Sequence, residues 1–332
     1  MDIGIAFDLA DDFAAQDRAE LPEDAFDEYD SESTVVAIEA ALASRGHRVV
    51  RLGGGKRFLA GILARPPDIV FNIAEGRGSR SREAHVPAVC EIVDVPCTHS
   101  DPLTMAMTLD KAVAKRIVAS AGIPTPAFAV VEYEADLAQV DMRYPLFVKP
   151  LYEGSSMGID ARSRVLDPAA LEERVQSILR DYHQPVLVEE FCSGAELTVG
   201  ILGNCRWPRV AATMEVVPLQ VPSEEFVYSN DVKHNWEEQV EYHAPPRRPS
   251  EQVQRAEAVA VAAYTALGCR DVARIDVRFD ASGTPQFIEC NPLPGLAPGY
   301  GDIALAWEKT GHRYEDLVLE ILDQACKRVG LA

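Results

Sequence analysis

Between Val272 and Asn291 the chain reads VARIDVRFDASGTPQFIECN, with apolar and polar residues alternating on both sides of Ser282-Gly283. Period-two alternation belongs to strands, and a short glycine-containing break joins antiparallel neighbours, so this stretch is expected to form a hairpin. With the turn centred on Ser282-Gly283, Asp276 falls opposite Glu289 and Arg274 opposite Asn291. One face then carries Ile275, Val277, Phe279, Ile288 and Cys290 and belongs to a core, while the other collects Arg274, Asp276, Glu289 and Asn291. Two facing carboxylates repel unless something positive lies between them or one takes up a proton. A divalent cation removes the conflict. Magnesium prefers hard oxygen ligands and takes few of them from protein, which suits Asp276, Glu289 and Asn291. The alternative is a solvated sheet face on which Arg274 and Arg278 balance the acids.

The flanking sequence supplies the elements such a hairpin needs around it. Asp2 to Leu9 (DIGIAFDL) reads as a first strand, Ser33 to Ser44 as an amphipathic helix stopped by Gly46, and Val49 to Leu52 and Asp68 to Asn72 as further short strands. Strand, helix, strand in this rhythm implies a parallel α/β lobe. A second lobe begins near Asp101, with a helix over Lys111 to Ala121 and strands at Phe128 to Val131, Leu146 to Lys149 and Gly158 to Ala161. From Val186 onward the pattern is mostly β, with a long helix at Ser250 to Leu267 and a closing helix at Tyr314 to Val329. The expected fold class is α/β and α+β in three lobes, 1–100, 101–185 and 186–332, which 332 residues at 47% hydrophobic content can supply with cores.

A net charge of −20 would repel nucleic-acid phosphates and an anionic bilayer alike, so neither is an expected partner. Met1 to Leu9 is too short and acidic for a signal peptide, and the apolar run Ala256 to Leu267 is far short of a bilayer span, which implies a cytoplasmic protein. The seven cysteines are scattered singly, and no histidines pair at i, i+4. Buried reduced thiols are the reading, and any metal site must be built from oxygens.

Two further stretches carry candidate chemistry. In YPLFVKPLYEGSSMG (Tyr144 to Gly158) a strand ends in Lys149 and runs into a loop with Gly154, Ser155, Ser156 and Gly158. Glycines let backbone N–H groups approach phosphate oxygens, serines add donors and the lysine adds charge. No Gly-Lys-Ser/Thr follows, so this is not a P-loop, and a loop of this composition is also an ordinary turn. VLVEEFCSGAELTVG (Val186 to Gly200) places Glu189, Glu190 and Glu196 along a connection between strands. Such carboxylates can meet an adenine edge and ribose hydroxyls, or simply line a sheet edge.

DIVFNIAEG (Asp68 to Gly76), LDKAVAKRIVASAGIPTP (Leu109 to Pro126), the two stretches above, ALGCRDVARIDVRFD (Ala266 to Asp280) and FIECNPLPG (Phe287 to Gly295) follow one another in order. Together they resemble the ATP-grasp superfamily, and within it the D-alanine–D-alanine ligase family, from about Asp68 to about Gly299. The resemblance implies an N-terminal parallel α/β lobe followed by two ATP-grasp lobes. It implies an ATP-dependent ligase that activates a carboxylic acid as an acyl phosphate and passes it to an amine. Lys111 and Lys149 match the nucleotide-phosphate lysines, and Ser155, Ser156 and Met157 the loop that closes on the phosphates. Glu189 resembles the adenine-contacting acid, flanked by Glu190 and Cys192, and Glu196 the ribose-binding acid. Lys233 matches the lysine of a mobile loop that reaches the γ-phosphate. Asp276, Glu289 and Asn291 match the ligands of one or two magnesium ions, with manganese as a substitute, while Arg274 and the N–H of Gly295 match the oxyanion donors. A homodimer is suggested by the resemblance alone.

The substrate pockets depart from that pattern. In place of a glycine-rich turn with an ammonium-binding glutamate, the chain has the acidic stretch Asp8 to Asp30, from which Asp27, Glu28 or Asp30 could take the contact. A mobile acidic loop is the alternative. The family's His-Gly is here Glu75-Gly76, followed by Arg77, Arg80 and Arg82; His234 replaces a tyrosine, and Tyr300-Gly301 replaces a Ser-Leu pair that holds the second substrate's carboxylate. Asp30, Glu75, His234 and Tyr300 are therefore the candidate substrate contacts. The expected function is a carboxylate–amine ligase with altered pockets. D-alanine–D-alanine ligation for cell-wall synthesis is the alternative within that class, and a non-catalytic nucleotide-binding regulator the alternative outside it.

Overall fold

The computed structural model describes residues 1–11, 22–204 and 207–331. The stretch 12–21 of the acidic segment and Cys205 therefore lie outside the described residues. Strand β1 (Asp2–Phe7) lies between β2 (Arg48–Arg51) and β3 (Ile69–Ile73) in a parallel sheet. Both faces of this sheet are covered, which is why β1 and β3 are apolar almost throughout. Helix α1 (Glu32–Ser44), capped by the Ser31 hydroxyl, packs on one face, and α2 (Gly55–Ala64) and α3 (His85–Ile92) pack on the other.

The chain then runs through α4 (Pro102–Leu109) and α5 (Lys111–Ser120) into a four-stranded antiparallel sheet. Its strands are β4 (Phe128–Val131), β5 (Leu146–Pro150), β6 (Arg164–Val165) and β7 (Val186–Glu190), in the order β4-β7-β5-β6, with α6 (Pro168–Tyr182) against them. The strand expected at Gly158 to Ala161 is not formed. The Met157 N–H donates to the Gly154 carbonyl and the Ile159 N–H to that of Ser156, closing turns, and Gly158 adopts φ +68°. The partner that β5 finds instead is β6. Because β7 sits between β4 and β5, this sheet runs across residue 185.

A five-stranded antiparallel sheet completes the fold, in the order β10-β9-β8-β11-β12. These strands are β8 (Glu196–Leu202), β9 (Arg209–Pro218), β10 (Val240–His243), β11 (Val272–Phe279) and β12 (Pro285–Asn291). The short helices α7 (Asn230–His234) and α8 (Trp236–Gln239) lie between β9 and β10. Helix α9 (Ser250–Ala266) and α5 bury one face of this sheet. Helices α10 (Asp302–Lys309) and α11 (Tyr314–Val329) follow, and α11 returns to the first sheet, where Leu317, Val318, Ile321 and Leu322 share a core with Ile3, Ile5 and Phe71. No helix among the described residues is long and apolar enough to cross a membrane.

The first sheet therefore depends on the C-terminal helix for one of its faces. Ile321, fully buried at 0% exposure, should cost about 2–5 kcal/mol when truncated to alanine, read as a lower midpoint in urea unfolding.

Candidate active site

The expected hairpin is β11–β12, and its register pairs Arg274 with Asn291 and Asp276 with Glu289. A bulge next to Asp276 then brings Val277 opposite Phe287. One extra residue reverses the parity of a strand, so Phe287 enters the core at 0% exposure and Ile288, expected there, lines a cavity.

Arg274 is the centre of the polar face. Its Nη2 donates to Asp276 Oδ2 at 2.8 Å and its Nη1 to Asp302 Oδ2 at 2.8 Å, and Glu289 Oε1 is 3.5 Å away. Thr198 Oγ1 donates to the other oxygen of Asp276 at 2.9 Å. Burial pushes the Asp276 carboxyl above its ordinary range despite Arg274. Burial acts on Glu289 in the same direction, but Lys111, Lys149, Arg274 and Lys233 outweigh it and hold that carboxyl at about 2. The Asn291 amide nitrogen is buried with no hydrogen-bond partner among the described residues, a cost that points to use of the amide by a bound group. Among the described residues no three His, Cys, Asp or Glu side chains converge to cage a metal. What the chain offers is two carboxylates and an amide, a set that fits a divalent ion leaving most positions to phosphate and water.

A buried cationic cluster lies behind this face. Glu189, 3% exposed, accepts ion pairs from Lys115 Nζ at 2.7 Å and from Lys149 Nζ at 2.9 Å. Burial would raise its carboxyl, yet the two lysines hold it below the usual range. Its charge is thus committed to fixing two lysines, at a position where it also lines the cavity between the sheets. Lys111 Nζ donates to the Glu153 carbonyl and stands 4.0 Å from Glu289 Oε2.

Two cavities meet at Arg274. The first, between the two antiparallel sheets, is lined by Lys149, Ser156, Glu189, Glu190, Cys192, Glu196, Lys233, Asp276 and Glu289. Burial pushes the Cys192 thiol up to about 12, so it is neutral there, and burial also raises Glu196. The second cavity, of about 270 Å³, brings together Asp27, Glu28, Asp30, Ser155, Lys233, His234, Gly295, Tyr300 and Asp302. Burial brings the Asp30 carboxyl to about 7. Ser155 and Ser156 both sit in the left-handed region, φ 47° and 58°, which points consecutive serines into different cavities at a conformational cost. Met157 lines neither of these two cavities, and neither does Glu75, whose carboxyl is held well above its usual range by burial and by Glu83 and Glu28.

The described part of the acidic segment is tied down at several points. Asp24 accepts from the Gly158 N–H at 2.7 Å and the Tyr182 hydroxyl at 2.8 Å, and Asp27 from the Asn230 amide at 2.7 Å. Glu28 is held by Arg82 through two bonds of 2.9 and 2.8 Å. From residue 22 to residue 30 it is a strap joining the first lobe to the serine loop and to α7.

Sequence reasoning missed Lys115, Thr198, Asp302 and the stacking of Arg278 on Phe191 at 4.7 Å. Lys115 had a signal, since it follows Lys111 by one helical turn and so shares its buried face. Asp302 had none, because only the return of the chain after Gly295 brings it to Arg274.

The family model described as the D-ala D-ala ligase C-terminus matches residues 117–323. The uncharacterized protein y4sG of Sinorhizobium fredii is 34% identical over 301 residues, 88% of this chain and 87% of that protein. D-alanine–D-alanine ligase of Cupriavidus taiwanensis is 32% identical over 288 residues, 86% of this chain and 84% of the ligase. The crystal structure of D-alanine–D-alanine ligase from Bacillus anthracis complexed with ATP shares the fold, with a TM-score of 0.74 at 18% identity over 100% of this chain and 99% of that one.

Glu189→Gln should destabilise the protein by about 3–5 kcal/mol, because it leaves two buried ammonium groups without their counter-charge. Denaturant unfolding at neutral pH measures the loss, and an unchanged midpoint would show that the lysines do not depend on Glu189.

Proposed function

The chain belongs to the D-alanine–D-alanine ligase family of ATP-dependent, ADP-forming ligases, and from that premise we propose that it joins a small carboxylic acid to an amine other than D-alanine. The observation that supports this reading is the facing pair Asp276 and Glu289, which line the cavity between the sheets, beside Arg274, which lines both cavities and pairs in register with Asn291. The cavity between the sheets takes ATP, with Lys149 and Lys233 toward the phosphates and Glu190, Cys192 and Glu196 toward the nucleoside. Asp276, Glu289 and Asn291 would hold the divalent metal, which we take to be one or two magnesium ions supplying charge neutralisation on the phosphate oxygens.

In the first step a carboxylate oxygen of the acid attacks the γ-phosphorus and ADP departs with the bonding electron pair. Lys149 and Lys233 offset the charge that moves with it. In the second, the lone pair of the amine attacks the acyl carbon, and phosphate leaves with the electrons of the C–O bond while the nitrogen releases a proton to solvent. Arg274 and the Gly295 N–H stabilise the tetrahedral oxyanion between these events. Water must be kept away from the acyl phosphate. The strap of residues 22–30 and the short helix α7, which carries Lys233, border the second cavity and supply that exclusion. A second reading, D-alanine joined to D-alanine, is favoured by the name of the Cupriavidus relative. It requires that Tyr300 and Gly301 receive the second carboxylate.

Glu289→Gln and Asn291→Ala should each abolish magnesium-dependent ADP formation at temperatures where thermal unfolding shows the variant to be folded. Turnover at the wild-type rate in either variant would remove the metal assignment.

Arg274→Met should slow the chemical step by about 10²–10³ and change ATP affinity far less. It also leaves Asp276 and Asp302 without their cation, so single-turnover rates must be read at temperatures where the variant is folded. Loss of nucleotide binding with an intact single-turnover rate would make the arginine structural.

A further inference from the structure

An amine that has added to an acyl carbon carries positive charge on nitrogen until it loses a proton, and a carboxylate beside that carbon takes the proton faster than water does. Asp302 is a carboxylate in such a place. It opens α10 and lines both cavities. Its Oδ2 accepts from Arg274 Nη1 at 2.8 Å, while no hydrogen bond from the described residues reaches Oδ1. The side chain keeps 13% of its surface exposed, so the second oxygen is within reach of a bound group.

The backbone before Asp302 explains its position. The N–H groups of Tyr300 and Gly301 both donate to the Ala297 carbonyl, at 3.2 and 2.8 Å, which turns the chain back toward Gly295. A Cβ on Gly301 would overlap the Gly295 carbonyl, so only glycine lets the head of α10 come this close. Asp302 is thereby set beside both groups assigned to the oxyanion, by its own bond to Arg274 and by the contact of Gly301 with Gly295. The other acids of the second cavity are bound elsewhere. Asp27 accepts from Asn230 at 2.7 Å, Glu28 is held by Arg82 through two bonds, and Asp30 accepts from Thr34.

Resting on the ligase reading above, we infer that Asp302 is the general base of the second step, the group through which the proton of the amine reaches solvent. The nitrogen lone pair forms the C–N bond, and the carbonyl electrons move onto the oxygen held by Arg274 and the Gly295 N–H. Asp302 Oδ1 then takes one proton from the cationic nitrogen. The carbonyl re-forms, phosphate leaves with the electrons of the C–O bond, and Asp302 passes its proton to water.

Single turnovers of the full chain with magnesium and ATP test this, with a mixture of D- and L-amino acids as the acid and hydroxylamine as the amine. ADP and hydroxamate are measured on the same quenched samples. Asp302→Asn keeps an oxygen acceptor for Arg274 but takes no proton, so it should slow hydroxamate formation by about 10²–10⁴ and ADP formation far less. The hindered base 2,6-dimethylpyridine accepts a proton without attacking the acyl carbon or neutralising Arg274. It should restore part of the transfer rate in Asp302→Ala and add nothing in wild type. Thermal unfolding first shows each variant to be folded, and the wild-type arm needs neither. Hydroxamate formed by Asp302→Asn at the wild-type rate, or wild-type transfer accelerated by the external base, overturns the inference. A loss that falls equally on ADP and hydroxamate, with no rescue of Asp302→Ala, also overturns it and leaves Asp302 as a support for Arg274. Absence of ADP formation by wild type with the whole mixture counts against the ligase reading instead.

Discussion

Arg274 stands among Asp276, Asp302 and Glu289, and the geometry of the site follows from that crowding. Three carboxylates around one guanidinium are an unbalanced set, which burial makes costly unless further positive charge arrives. Part of it is built in, since Lys111 and Lys149 reach Glu289 electrostatically. The remainder is what the proposed divalent ion would bring. The excess of acid at β11–β12 is thus the physical reason for reading this place as a metal and phosphate centre.

The buried Lys115–Glu189–Lys149 cluster serves the same end from behind. Glu189 holds Lys149 at the end of β5 in spite of nearly complete burial, so the lysine we propose for the phosphates is positioned by the chain itself. At the open side, the strap of residues 22–30 connects lobes that the sheets alone leave separate. Asp24 holds the serine loop and α6, Asp27 holds α7, and Glu28 holds Arg82. The charges of Asp24 and Asp27 are therefore spent on bonds across lobes, where a solvated charge run was the alternative.

The hairpin was legible because strand parity and one glycine turn set its register from local sequence, and Asp276 opposite Glu289 needed nothing further. Its bulge was not legible, since the parity of Ile288 and Phe287 depends on which of them the core beneath α9 and α5 can accommodate. Gly158 to Ala161 looked like a strand by composition, but the Ile159 N–H closes a turn on Ser156, its carbonyl accepts from Asn230 and the Gly158 N–H donates to Asp24.

The sequence by itself determined the order of the sheets, the serine loop, the lysine before it and the paired acids, because each is written in residues near one another along the chain. Tertiary structure alone decided that Glu189 serves two lysines, that Asp302 meets Arg274 and that Asp27, Tyr228, Trp236, Tyr242 and Tyr300 share one cavity. Those contacts join segments far apart in sequence, and their partners are selected by burial and charge compensation once the sheets have packed, which no local pattern encodes.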